Sequence, residues 1–326
     1  MITNGSPAGT SRPATSDILR SRPIRLAIFG DAENARRLRD LPDVDIRWLV
    51  KRDRADGSIA GALADRDVDA VLIDLPIAPW YDIAVDAARA GKHLFLAAPL
   101  AITVDDARAL VDVCADAGVS IVIDNTVRFT PEYRKIAQII AAGELGQIAT
   151  IRTNRVIAPP ETGDIIDHAL RHDLDALRNI FGDIRRLHAH AAMSRLGRPR
   201  QEFAAASIRF ANGAIAHIEG RLSPTTPRVA IEIAGQNGIL SFDSDAASTL
   251  TIERTTATPL RTLARPAVAT PEQISLQNFL ASLRAEEAEI TTGAEAIETL
   301  RLVGKLRESI ATGAPVAASC TEESPV

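Results

Sequence analysis

Between Ile24 and Ile123 short apolar runs alternate with segments of helical period, and this alternation admits few folds. Arg25-Leu26-Ala27-Ile28-Phe29, Asp45-Ile46-Arg47-Trp48-Leu49-Val50, Ala70-Val71-Leu72-Ile73-Asp74, His93 to Leu96 and Ser120-Ile121-Val122-Ile123 read as strands. They are too short for core helices, and most are apolar enough to be buried on both faces. Helices are expected through Ala35-Arg36-Arg37-Leu38, from Asp82 to Ala90 and from Val104 to Ala117. Strands separated by crossover helices predict a doubly wound parallel sheet, whose ligands bind at the strand carboxyl ends.

After Asp124 the pattern changes. A helix from Pro131 to Ala142, a strand from Ile148 to Asn154 and a helix from Ile165 to Phe181 precede alternating segments at Phe203–Phe210, Ala214–Arg221, Arg228–Ala234 and Ile239–Phe242. Asn212-Gly213 and Asn237-Gly238 join these in pairs, and Asn-Gly between alternating runs is a strong hairpin signal. The second half is therefore expected to be an α+β domain with a largely antiparallel open sheet. A last helix, Ala294 to Thr312, carries Ile297, Leu300, Val303, Leu306 and Ile310 at packing intervals. The expected organisation is a disordered tail over 1–22, one domain over 23–125, a second over 126–293, a packing helix over 294–316 and a tail over 317–326.

Composition narrows the partners. The chain has 326 residues, 46% hydrophobic and 24% charged, with a formal net charge of −5, which argues against a nucleic-acid partner. Cys114 and Cys320 are too few and too far apart for a disulfide framework. Residues 1–22 are rich in Ser, Thr, Gly and Pro and lack the apolar core of a signal peptide, and no run spans a bilayer. A cytoplasmic protein without membrane contact is expected.

Several segments, in order and spacing, resemble the glucose-fructose oxidoreductase / inositol dehydrogenase (Gfo/Idh/MocA) family. Ile28-Phe29-Gly30-Asp31-Ala32-Glu33-Asn34-Ala35 is similar to its nucleotide fingerprint, and Gly91-Lys92-His93 with Pro99-Leu100-Ala101 flanks a motif that in the family reads Glu-Lys-Pro. Arg128-Phe129-Thr130-Pro131, Gly143-Glu144-Leu145-Gly146 and the stretch Gly163 to Asp175 complete the likeness. The last resembles Gly-x-x-x-x-Asp-x-x-x-His-Asp-x-Asp. The resemblance implies a Rossmann domain binding NAD or NADP, a sugar, cyclitol or related polyol as substrate, and a homodimer or homotetramer.

The departures concentrate on function. Ala97 and Ala98 stand where the family has Glu and the lysine that touches the substrate hydroxyl. Ala32 and Ala35 replace two fingerprint glycines, and Asp31 adds a carboxylate. Lys51 and Arg52 stand where an acidic residue would hold the ribose; they suit a 2′-phosphate and favour NADP, though with Asp53 they also read as a solvated loop. Gly30, Asp31, Ala32, Lys51, Arg52, Pro76 and Ala98 are the expected cofactor contacts. Trp80 and Tyr81 read as packing ahead of pocket wall.

By resemblance His172 is the catalytic histidine, and His168 falls where the family has an aspartate. Four residues apart on a helix, the two imidazoles share a face about 6 Å apart. They read as an acid/base pair, as polar residues inherited with the fold, or as metal ligands with Asp164 or Asp167; no third ligand is set by spacing, and no metal is expected. Lys92 sits about 20 Å from Ala98 along its strand. Arg128 is therefore the expected substitute cation. Two functions stand against each other: a lysine-free oxidoreductase acting on CH–OH groups, and a non-catalytic descendant that senses a nucleotide or sugar or serves as a structural partner.

Overall fold

A computed structural model describes residues 19–20, 22–30, 41, 43–51, 57–74, 77–160, 163–193, 200–224, 226–245, 249–254, 260–263 and 269–318. They form two compact units interleaved in sequence: 1–97, 109–124 and 275–292 make the first, and 98–108, 125–274 and 293–326 the second. Ser275–Thr292, expected with the second domain, thus pack with the first unit, and residues 98–108 with the second.

The first unit is a five-stranded sheet. Strands β1 (Ile24–Phe29), β2 (Val44–Val50), β3 (Ala70–Ile73), β4 (His93–Ala97) and β5 (Ile121–Asp124) lie in the order β2-β1-β3-β4-β5. Every pair is parallel. All of β3 and nearly all of β1 are buried, as a parallel sheet covered on both faces requires. Helices α1 (Ser58–Ala64), α2 (Ile77–Arg89) and α3 (Val104–Asp116) connect the strands. One layer closes where α6 (Pro271–Leu283) sets Leu276, Phe279 and Leu280 against Leu26, Leu72 and Phe95. The rings of Phe95 and Phe279 are 5.2 Å apart. Its buried Leu276, Phe279, Leu280 and Leu283 form one stripe, but the helix follows the second unit's sheet in sequence, so the pattern alone gave no notice that it packs on the first.

In the second unit nine strands form one sheet, β13-β12-β11-β10-β6-β9-β8-β7-β14. They are β6 (Ile148–Ile157), β7 (Ile184–Met193), β8 (Gln201–Phe210), β9 (Ile215–Leu222), β10 (Arg228–Gly235), β11 (Gly238–Asp243), β12 (Thr249–Arg254), β13 (Leu260–Leu263) and β14 (Val316–Ala317). Only β6 and β9 pair in parallel. The expected hairpins form: β8 with β9 and β10 with β11. Burial alternates along β8 and β9, so one face is covered and the other open. The open face holds a depression of about 600 Å³ lined by Arg152, Asn154, His217, Glu219, Glu232 and Asp243.

The covered face packs against α4 (Pro131–Ala141), α5 (Arg171–Phe181) and α7 (Gly293–Thr312). Gly220 on β9 permits a close approach of the histidine segment: a Cβ there would stand 2.4 Å from Leu170 Cδ1 and 3.0 Å from Ile165 Cγ1. On α7 the buried stripe is Ala296, Thr299, Leu302, Val303, Leu306 and Ser309, one position off the expected Ile297, Leu300 and Ile310. Two hydroxyls face inward because each meets a partner from elsewhere: Thr299 donates to Asp175 Oδ1 at 2.9 Å, and Ser309 accepts from the Ala189 amide at 3.0 Å while donating locally to the Ala314 carbonyl at 2.7 Å. No helix among the described residues is long and apolar enough to cross a membrane.

Candidate functional site

In the first unit the order of strands reverses at β1, which lies between β2 and β3. At such a switch point the carboxyl ends part and leave a crevice for a ligand. Gly30 ends β1 there, its amide bonded to the Val50 carbonyl at 3.1 Å. A Cβ at Gly30 would be 2.9 Å from the Asp74 carbonyl oxygen, so only glycine fits without moving β3. Lys51 is exposed at the end of β2. Strand order, glycine and the exposed cation fit a dinucleotide. Asp31, Ala32, Arg52 and Pro76 lie outside the described residues. Lys92 is buried at the opposite strand end, donating to the carbonyls of Asp65 at 2.7 Å and Val68 at 2.9 Å. Trp80 is buried, as packing would have it.

The second unit carries the titratable groups. Asp164 starts the histidine segment, its carboxylate accepting from the amides of Ile166 at 3.0 Å and Asp167 at 3.2 Å and so satisfying donors that a helix start leaves open. Residues Ile166–Leu170 then form a π-turn before α5 begins at Arg171. Such turns often mark functional sites. His168 is exposed and His172 half-buried, and His168 lies near enough to act electrostatically on His172. Asp164 and Asp167 are both held by Arg307, at 3.0 and 2.7 Å.

Every contact of His172 is informative. Its Nδ1 lies 3.0 Å from Asn125 Oδ1, and its Nε2 lies 3.2 Å from Arg171 Nη2. A guanidinium only donates and an amide oxygen only accepts, so the neutral ring carries its proton on Nδ1 and presents the Nε2 lone pair. Burial drives the His172 pKa well below the usual histidine value, and the charge of Arg171, then Arg155, then His168 adds to the effect. Asn125 is buried and orients the imidazole.

The acids that follow His172 are committed to structure. Asp173 is fully buried, accepting from Tyr133 Oη at 2.9 Å and from Arg155 Nη2 at 2.6 Å. Asp175 receives both Nε and Nη2 of Arg128, at 2.6 and 2.9 Å. Arg128 Nη1 reaches Glu295 at 3.0 Å. Burial opposes the Arg128 charge, but Asp175 and Glu295 more than offset it and hold its pKa above the usual value. Arg128 is thus not the free cation the sequence suggested: two carboxylates neutralise it, and it anchors α5.

The side chain that sequence reasoning passed over is Arg171. Its Nε donates to the Asp167 carbonyl at 2.9 Å, and its Nη2 lies 3.4 Å from the carbonyl of Ala98, the residue standing where the family has lysine. The Ala98–Pro99 peptide is cis.

Known proteins share this architecture. Residues 31–125 match the family described as "Oxidoreductase family, NAD-binding Rossmann fold", and residues 133–241 match "GFO/IDH/MocA C-terminal domain". D-xylose 1-dehydrogenase (NADP(+)) 2 of Haloferax volcanii is 27% identical over 280 residues, covering 80% of this chain and 83% of its own. The scyllo-inositol 2-dehydrogenase (NAD(+)) of Bacillus subtilis is 29% identical over 191 residues, 54% of this chain and 55% of its own. Among solved structures, an oxidoreductase from Agrobacterium radiobacter in complex with NAD+, L-tartaric acid and magnesium has TM-score 0.80 at 18% identity, covering 90% of this chain and 98% of its own. Levoglucosan dehydrogenase in complex with NADH and L-sorbose has TM-score 0.78 at 18% identity, over 91% and 99%. Sequence matches across both units, with the strand order and the histidine segment described above, place this chain in the Gfo/Idh/MocA family of NAD(P)-binding oxidoreductases.

Proposed function

We propose that the protein is an NAD(P)-dependent dehydrogenase of a sugar, cyclitol or related polyol, working without a lysine at the reacting hydroxyl. The observation that carries this reading is His172, a neutral imidazole fixed by Asn125 with its Nε2 lone pair presented for proton transfer. When bound, the dinucleotide supplies the hydride acceptor or donor. The rest falls to the chain: His172 Nε2 takes the hydroxyl proton on oxidation and returns it on reduction, and Asn125 keeps the ring from turning. Arg128 and Asp175 hold α5 so that Nε2 stays where it is. His168, exposed at the π-turn, relays the proton to solvent.

For the cofactor, the exposed Lys51 supports NADP over NAD, and the glycine-only space at Gly30 supports a close approach of the pyrophosphate. The open face of the second unit's sheet supports assembly into a homodimer or homotetramer. The test is titration with the four nicotinamide dinucleotides, read by fluorescence of Trp48 and Trp80, followed by turnover on a panel of polyols. NADP(H) is expected to bind more tightly than NAD(H), and His172→Asn to lower kcat about 100-fold or more with dinucleotide affinity unchanged. Failure of either dinucleotide pair to bind at millimolar concentration overturns the reading. A second reading, a nucleotide or sugar sensor without turnover, draws support from Nε2 being already engaged by Arg171; it predicts dinucleotide binding and no turnover on any polyol.

A further inference from the structure

Arg171 is only 6% exposed, yet among the described residues no carboxylate pairs with it. Its nearest acids are spent elsewhere, Asp167 on Arg307 and Asp175 on Arg128. Protein supplies it two backbone carbonyls and the Nε2 of His172, while Nη1 has no hydrogen-bond partner among the described residues. A guanidinium buried this deeply without a counter-ion is costly, and a fold retains such a charge where something anionic is to meet it. Burial pulls its pKa down to about 10, which leaves it charged at neutral pH.

We propose that Arg171 is a catalytic residue: with His172 it brackets the substrate's reacting hydroxyl and carries the positive charge to the oxygen as it becomes an alkoxide. The proposal rests on the dehydrogenase reading. On oxidation the hydroxyl proton passes to His172 Nε2, the hydride leaves the same carbon for the dinucleotide, and the C–O single bond becomes a carbonyl. Arg171 exchanges no proton; its N–H groups hold the oxygen while negative charge is on it. The contact from Nη2 to Nε2 holds the lone pair in place before substrate arrives, and a hydroxyl entering between the two groups replaces it. Recruiting the cation from the helix accounts for the loss of the strand-end lysine.

The experiment uses the full-length protein with Arg171→Gln and Arg171→Lys. Arg171→Gln is expected to cut kcat about 100-fold or more, the cost of losing one donor to a developing oxyanion, with dinucleotide affinity unchanged. Arg171→Lys should recover at least a tenth of wild-type kcat. Imidazole NMR of the protein without substrate gives a readout independent of turnover. In Arg171→Gln the His172 ring should titrate at higher pH than in wild type, because the first of its cationic neighbours is gone while Arg155 and His168 remain. An Arg171→Gln protein that turns over at the wild-type rate, or a His172 titration unmoved by it, overturns the proposal and leaves the dehydrogenase reading standing. Absence of dinucleotide binding in wild type overturns that reading and the catalytic role with it.

Discussion

Replacing Asp175 by Asn tests the anchoring of α5. The Arg128 and Asp175 side chains are 2% and 1% exposed and share two hydrogen bonds, at 2.6 and 2.9 Å, while Thr299 donates a third to Asp175. Breaking a buried pair on one side typically costs about 3–5 kcal/mol, because the surviving charge is left uncompensated. Here Glu295 remains 3.0 Å from Arg128 Nη1, and the Asn oxygen still accepts one hydrogen bond, so the lower end applies, about 3 kcal/mol. For a unit of this size that lowers the melting temperature by about 6–12 °C. Calorimetry of Asp175→Asn, Arg128→Met and the double variant reads it. The double variant should be more stable than Asp175→Asn alone, since it removes the stranded guanidinium. A loss below about 1 kcal/mol in Asp175→Asn, or a double variant less stable than either single one, refutes the reasoning.

Other expectations follow from the same geometry. His172 and His93 both have lowered pKa values, burial being the first cause in each, so the folded protein refuses protons that the unfolded chain accepts near 6.5. Their contribution is complete above pH 6.5 and is lost as pH falls toward the folded values, at up to about 1.4 kcal/mol per pH unit for each ring. Urea unfolding at pH 7.5, 6.5 and 5.5 should show that fall, and His172→Asn should flatten it; an unchanged slope counts against the buried neutral imidazole. Gly220→Ala presses a methyl into Leu170 and Ile165 and should cost about 1–3 kcal/mol, with a lower kcat as the turn before His172 shifts. A wild-type melting curve for Gly220→Ala would show that this packing gives way freely.

What could be read from sequence followed from how local each determinant is. Strands β1, β3 and β4 announce themselves because a sheet covered on both faces needs unbroken apolar runs, and Asn212-Gly213 marks its hairpin through the turn alone. The buried face of α7 was misplaced because Thr299 and Ser309 look solvent-seeking until Asp175 and the Ala189 amide, from distant elements, give their hydroxyls partners. His172 was found by its motif. Arg171 was not, for an arginine beside a histidine on a helix reads as part of the wet face. Its burial depends on the π-turn and on the packing of Leu170 against a glycine fifty residues away, neither of which leaves a trace in local periodicity.

The same geometry reverses the obvious repair of the site. By resemblance, Ala98→Lys restores the missing lysine, but the Ala98 carbonyl already lies 3.4 Å from Arg171 Nη2, and a lysine there sets an ammonium against a guanidinium that lacks a counter-ion. Two such charges repel by about 4 kcal/mol at about 4 Å, and by about 2 kcal/mol if the lysine swings out to about 8 Å, at the effective dielectric of a protein site. Ala98→Lys is therefore expected to destabilise the wild-type protein and lower its activity, and to be far better tolerated beside Arg171→Met. A double-variant cycle read by urea unfolding should give a coupling of at least about 1 kcal/mol in favour of the pair. Additive effects would mean that residues 98 and 171 do not compete for one place, and that the helix cation is not the reason the strand end is able to do without its own.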